Sequence, residues 1–390
     1  MTYSKPDFTY PKCIQPGCNW NGTHCAELLD DLYGEDCLYL QIAVPEHAFE
    51  EPELYPVFFY IHGGGFSTGS GHEFRFDASY TAAQMNAVVV TVNYRLNVFG
   101  FLGIPWLYEG ENAIGNIGLV DQETGLRFVH DYIKYFKGDP NRVTLSGNSA
   151  GAESTWTHLQ REGDVQNYFS KAITISNPIS VIYLDPERVQ PMVDVVYKTT
   201  NCSDISCLKN VSKHLLSHAG SLAWRFDLEN RKEQGAQLSG FLQHMTPIID
   251  NVVVKKQMFE SAVIKKPIIF GTCADEGQLF VDFIPFEVTQ KVYEASVKVI
   301  FKSFDQSMIE NRRKVDKILS RYPYTYDCDR FHPDFTDNSV CNPEDAMSAV
   351  ITDYMFFCSM RQVAQKLREE NENVWVYSFA EKPLFQIAAL

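Results

Sequence analysis

The chain has 390 residues, 45% of them hydrophobic and 21% charged, which supplies a large core and excludes a disordered, fibrous or collagen-like polypeptide. Lys and Arg number 34 against 49 Asp and Glu, a net charge of −15, and without a basic run to neutralise phosphates or anionic lipid, nucleic acid is excluded as a partner. The longest apolar runs, such as Ala87 to Val92, are far shorter than the roughly 18 residues a membrane span needs, so no transmembrane segment is expected.

In chain order, short apolar and β-branched runs predict strands at Leu38 to Val44, Val57 to His62, Ala87 to Tyr94, Arg142 to Leu145, Ala172 to Ser176, Pro267 to Gly271 and Val374 to Phe379. Helical periodicity falls between them at Gly118 to Phe136, Ala150 to Gln160, Met308 to Leu319 and Ala346 to Arg368. Strands alternating with helices make an α/β fold with a mostly parallel central sheet flanked by helices. No repeat, low-complexity tract or linker divides the chain, so residues 1–390 read as one domain, with a mainly helical insertion at about 180–243.

Ten cysteines are present, four of them close together (Cys13, Cys18, Cys25, Cys37), with further neighbours at Cys202/Cys207 and Cys328/Cys341. Their spacing does not make a zinc site, and no metal is expected. Asn21, Asn201 and Asn210 each open an Asn-x-Ser/Thr glycosylation acceptor. Met1 is not followed by the apolar stretch and cleavage site of a secretory signal. The cysteines and acceptors outweigh that, and predict a secreted or luminal, extracellular protein whose true amino terminus lies outside this chain.

Two segments carry chemistry. Arg142-Val-Thr-Leu-Ser-Gly-Asn-Ser-Ala-Gly151 sets Gly-x-Ser-x-Gly between a predicted strand and a predicted helix, the context of a nucleophile elbow. A sharp turn there holds Ser149 in a strained conformation at the positive end of the following helix, and Gly147 and Gly151 leave room for neighbouring backbone. In the second segment, Val57-Phe-Phe-Tyr-Ile-His-Gly-Gly-Gly-Phe66, a strand runs into three glycines. The amides of Gly64 and Gly65, with that of Ala150, would form a three-donor hole for an oxyanion. A phosphate loop is the rival reading, but Gly-Lys-Ser/Thr is absent. His62 belongs to the turn that builds the hole and is not expected to be a base.

These segments resemble the type-B carboxylesterase and cholinesterase family of α/β-hydrolases. The likeness is carried also by Glu35-Asp-Cys-Leu-Tyr-Leu40, Asn93-Tyr-Arg-Leu96 with Phe99-Gly-Phe101, Gly115-Asn-Ile-Gly-Leu-Val-Asp-Gln122, Gly138-Asp-Pro-Asn-Arg-Val-Thr144, Thr246-Pro-Ile-Ile-Asp250 and Gly271-Thr-Cys-Ala-Asp-Glu-Gly277. The resemblance implies an α/β-hydrolase fold, incomplete at the carboxyl terminus, and cofactor-free, serine-dependent hydrolysis of a small-molecule carboxylic ester through an acyl-enzyme. It makes Ser149 the nucleophile and Glu276 the triad acid, with Asp275 as the neighbouring alternative.

The family's catalytic histidine lies beyond the strand at Val374 to Phe379, and after Glu276 this chain has only His332, in an unsuited context. The expectation is that the sequence, truncated at both ends, stops at Leu390 before its base, and that the chain as it stands is nearly inactive. The resemblance further implies disulfides among the four early cysteines and between Cys202 and Cys207 and Cys328 and Cys341. Cys273 and Cys358 are left over. Asn148 replaces the family's usual Glu and disfavours a cationic substrate, while Trp20 and the other tryptophans cannot be placed. The alternative is a catalytically inactive cholinesterase-like adhesion protein with a protein partner.

Overall fold

The computed structural model describes residues 10–15, 32–72, 76–108, 110–230, 245–260, 264–282, 284, 286–301, 308–324 and 342–381. Cys18, Trp20, Asn21, Cys25, Cys328, His332 and Cys341 lie outside the described residues.

All seven predicted strands enter one sheet. They are β1 (Leu40–Ala43), β2 (Tyr55–Ile61), β3 (Val88–Val92), β4 (Gly138–Asn148), β5 (Lys171–Ile175), β6 (Ile268–Cys273) and β7 (Val374–Phe379), in the spatial order β1-β3-β2-β4-β5-β6-β7. Only β1 runs antiparallel to its neighbour; the other pairs are parallel. In β3 the run Val-Val-Val-Thr-Val is buried at every position, as a strand covered on both faces requires, and its β-branched side chains suit the pleated surface.

The main helices are α1 (Ala78–Met85), α2 (Ile117–Tyr132), α3 (Ala150–Gln160), α4 (Pro186–Thr200), α5 (Lys213–Asn230), α6 (Gln290–Ile300), α7 (Met308–Arg321), α8 (Pro343–Ile351) and α9 (Cys358–Leu367). Local chemistry sets their ends. Asp185 caps α4 by accepting from the Arg188 amide, with Pro186 in the first turn, and Asn201 ends it in the left-handed conformation. The predicted helix from Ala346 to Arg368 is interrupted: a π-helical turn at Thr352–Phe357 joins α8 to α9, and α8 begins at Pro343 behind an Asn342–Asp345 capping box. Between residues 180 and 230 the chain forms α4, a short helix at Ile205–Leu208 and α5, with α4 packed on α5.

The α3 helix is buried at ten of its eleven positions, so its polar side chains need internal partners. Ser154 donates to the Ala150 carbonyl at 2.9 Å and accepts from Gln122 at 3.0 Å; Gln122 in turn meets His158 Nε2 at 3.0 Å. Since Gln122 offers its carbonyl there, Nε2 of His158 carries the proton. Trp156 donates to the Met258 carbonyl at 2.8 Å. This helix, entering directly from the central strand β4, fixes the end of the sheet where the candidate site lies. The sheet and its flanking helices form an α/β-hydrolase fold.

Candidate active site

Register brings the two glycine-bearing turns together. Gly147, near the end of β4, pairs with Ile61 of β2 on one side and with Thr174 of β5 on the other, so the chain leaves β2 and β4 at the same edge, the carboxyl ends where α/β sheets place ligands. Contact is close enough to demand glycine. A Cβ on Gly147 would stand 2.1 Å from the Gly151 carbonyl, and one on Gly151 would stand 2.1 Å from that of Ile61. A Cβ on Gly63 would stand 2.7 Å from the Asn148 carbonyl and 3.2 Å from Cβ of Ser149.

Ser149 sits between β4 and α3 with φ 53° and ψ −121°, a strained conformation for a side-chain-bearing residue. Its amide donates to the Ile175 carbonyl at 2.9 Å, and its carbonyl accepts from Ala152 and Glu153 at 2.8 and 2.9 Å. Backbone bonds thus hold the turn and leave the hydroxyl uncommitted among the described residues. Gly64 and Gly65 have φ of 110° and 59°, and the Gly64 carbonyl accepts from Ser67 and Thr68, each at 3.0 Å. Among the described residues, the amides of Gly64, Gly65 and Ala150 make no internal hydrogen bond, and Ala150 opens α3, where the helix dipole is positive.

His62 is built into the loop through its Nδ1 and its ring face. Its Nδ1 meets the Gly63 carbonyl at 2.8 Å, and the ring stacks on Tyr94 at 4.4 Å between centroids. Burial pulls its pKa down to about 4, against a small upward pull from the Gly63 carbonyl. The imidazole is therefore neutral, with Nδ1 carrying the proton.

Glu276 follows β6, two strands from Ser149. Its Oε1 accepts from the Cys273 amide at 2.7 Å and the Thr272 hydroxyl at 3.0 Å, and Ser176 supplies another side-chain hydrogen bond. Burial raises the Glu276 pKa, opposed by these donors. The neighbouring Asp275 turns away, taking a hydrogen bond from the Ser348 hydroxyl on α8. From the same side Thr352 Oγ1 accepts from the Gly277 amide at 2.8 Å. Helix α8 and the π turn thereby clamp the acid loop from behind.

Ser176 was not singled out from sequence. It stands one residue past β5, with φ 54°, and its amide donates to the Gly271 carbonyl at 2.8 Å. The available signal was positional: a small polar residue at the carboxyl end of an apolar strand beside the nucleophile strand. Asn148 lies beside the loop glycines, its Nδ2 reaching the Ile175 carbonyl at 3.4 Å.

Away from the site, disulfides join Cys13 to Cys37 and Cys202 to Cys207, and Cys273 and Cys358 are free. Asn201 and Asn210 are exposed. Among the described residues no group of three metal-ligating side chains is present, and no helix is long and apolar enough to cross a membrane.

The chain is similar to several known proteins. The chain is 26% identical over 375 residues to an acetylcholinesterase of Leptinotarsa decemlineata, covering 89% of this chain and 56% of that protein. It is 30% identical over 335 residues to the cAMP-regulated D2 protein of Dictyostelium discoideum, covering 84% of this chain and 55% of the other. Against the juvenile hormone esterase of Tribolium castaneum the identity is 34% over 259 residues, covering 63% of this chain and 42% of that protein. The chain thus spans about half the length of these relatives. The sequence profile of the carboxylesterase family matches residues 7–387, taking in the glycine loop, the elbow and the acid loop alike, and the chain belongs to the carboxylesterase family.

Proposed function

We propose that the protein hydrolyses carboxylic esters through an acyl-enzyme on Ser149, with Glu276 as the acid of the triad and the amides of Gly64, Gly65 and Ala150 as the oxyanion hole. The observation that carries this reading is the strained Ser149 turn, at φ 53°, pressed against a glycine loop whose amides make no internal hydrogen bond. The names of two relatives, an acetylcholinesterase and a juvenile hormone esterase, support the same chemistry.

In this reading Oγ of Ser149 attacks the ester carbonyl and passes its proton to a histidine. The carbonyl oxygen becomes an oxyanion that takes hydrogen bonds from the three amides, each worth about 10²–10³ in rate. The alcohol leaves with the proton, and water repeats the sequence to release the acid. The base is a histidine outside the described residues. Glu276 orients its ring and stabilises the imidazolium, and Ser176 positions Glu276. No cofactor takes part. Asn148, neutral beside the nucleophile, favours an uncharged alcohol over a quaternary ammonium. The disulfides and the exposed acceptors Asn201 and Asn210 support a secreted, glycosylated product.

The test is hydrolysis of p-nitrophenyl acetate by the chain and by its Ser149→Ala variant, with and without added imidazole. The reading predicts a Ser149-dependent rate that free imidazole increases, by standing in for the base. Equal rates for the two proteins under both conditions would contradict it and favour the binding-protein alternative.

A further inference from the structure

We propose that a second, non-catalytic site lies at the opposite end of α3 from Ser149 and binds a small neutral polyhydroxylated ligand of monosaccharide size. Helix α3 has 11 residues, so at 1.5 Å per residue about 16 Å separate the two ends. Beyond its last turn lies a cavity of about 540 Å³, within the range of small-molecule sites. One wall is the end of α3 and the turn after it; the other is the loop at 251–256.

One polar atom in the wall lacks a partner and a second is only weakly held. Nε2 of Gln160 is buried and unpaired, and the hydroxyl of Thr157, a residue 2% exposed, has the Tyr183 hydroxyl as its one recorded partner. The orphan costs about 1–3 kcal/mol, a cost that a ligand with donor and acceptor groups would relieve. The hydroxyls of a sugar or polyol are both.

Charge selects for neutrality. Arg161, Lys255 and Lys256 line the cavity against Glu123, Glu162 and Asp164. Arg161 pairs with Glu123 at 2.7 Å, and Lys255 pairs with Glu162 at 2.9 Å, bridging the two walls. An anion would meet three carboxylates and a cation three basic groups, whereas a hydroxyl can hydrogen-bond to either member of a pair. Tyr168 adds an aromatic surface for the apolar face of a pyranose ring. The loop wall is preorganised: Oδ1 of Asp250 accepts from the amides of Val252, Val253 and Val254 at 3.0, 2.9 and 2.9 Å, which lowers the ordering cost of binding.

The test is saturation-transfer NMR on the whole chain with methyl α-glucopyranoside, methyl α-mannopyranoside and N-acetylglucosamine, with sodium sulfate as competitor. The proposal predicts transfer to at least one pyranoside, millimolar affinity, no displacement by sulfate, and at least about tenfold weakening in the Thr157→Val/Gln160→Leu double variant. The Lys255→Ala variant, altered only at an exposed rim position, is predicted to weaken binding too and serves if the double variant fails to fold. Absence of transfer from all three probes, transfer unchanged in a folded variant, or displacement by sulfate would each overturn it.

Discussion

The backbone amide of Cys273 donates to Oε1 of Glu276 across 2.7 Å. The carboxylate is thereby turned back over the end of its own strand, and burial raises its pKa. In the folded state it holds its proton to a higher pH than in the unfolded chain, so its contribution to stability is present at low pH and lost as pH rises through the folded pKa. Near neutral pH the charged form is a liability. Glu276→Gln keeps an acceptor for Cys273 and Thr272, and is predicted to raise the melting temperature at pH 7 by roughly 1–2 °C. The gain should vanish near pH 4, as differential scanning calorimetry would reveal.

His62 works in the opposite sense. Its folded pKa is about 4 against an ordinary 6.5, so the unfolded chain binds the proton first. Stability is full above about pH 6.5 and declines as pH falls toward 4, by about 3 kcal/mol from this residue. His158, fully buried and also depressed well below its ordinary value, adds to the same slope. Urea unfolding between pH 7 and pH 4.5 should record the loss, and His62→Gln should flatten it. An unchanged slope would mean that His62 is solvated or charged in the folded protein.

Gly151 has no room for a side chain: its Cβ would fall 2.1 Å from the Ile61 carbonyl. Both partners are backbone, one in the central sheet and one in the first turn of α3, and neither can move without breaking the elbow. Gly151→Ala is predicted to cost at least about 3 kcal/mol, measured as a lowered urea midpoint or loss of soluble protein.

Asp121 ties α2 to the end of β3. Its carboxylate accepts from the Arg95 amide at 3.0 Å, from Nε at 2.8 Å and from Nη2 at 2.6 Å. Its side chain is 5% exposed while that of Arg95 is 39% exposed, so water can partly replace the lost partner. Asp121→Ala is predicted to destabilise by about 2 kcal/mol, and Arg95→Lys, which cannot reproduce the fork, by about half of that.

This pair also explains what sequence could and could not convey. Asn93 to Leu96 and Gly115 to Gln122 stood out only as segments of a resemblance; the structure turns them into a bidentate ion pair and, through Gln122, a link from His158 to Ser154 in α3. The seven strands were readable because β-branched apolar runs have few other uses, and the elbow because its Gly-x-Ser-x-Gly pattern lies within five residues between a strand and a helix. Ser176 and Thr352 were not readable, since each acts on the acid loop across more than 70 residues of sequence and nothing local marks a serine or threonine for such a role. The π turn within the predicted helix at Ala346 to Arg368 was hidden because apolar periodicity continues through it.

The most direct test of the central claim is intact-mass and peptide-level mass spectrometry after exposing the chain to a fluorophosphonate. If Ser149 is the nucleophile held against the glycine loop, a single adduct forms, maps to the peptide carrying Ser149, and is absent from Ser149→Ala. No adduct with or without added imidazole, or one on another residue that survives the substitution, would contradict the account.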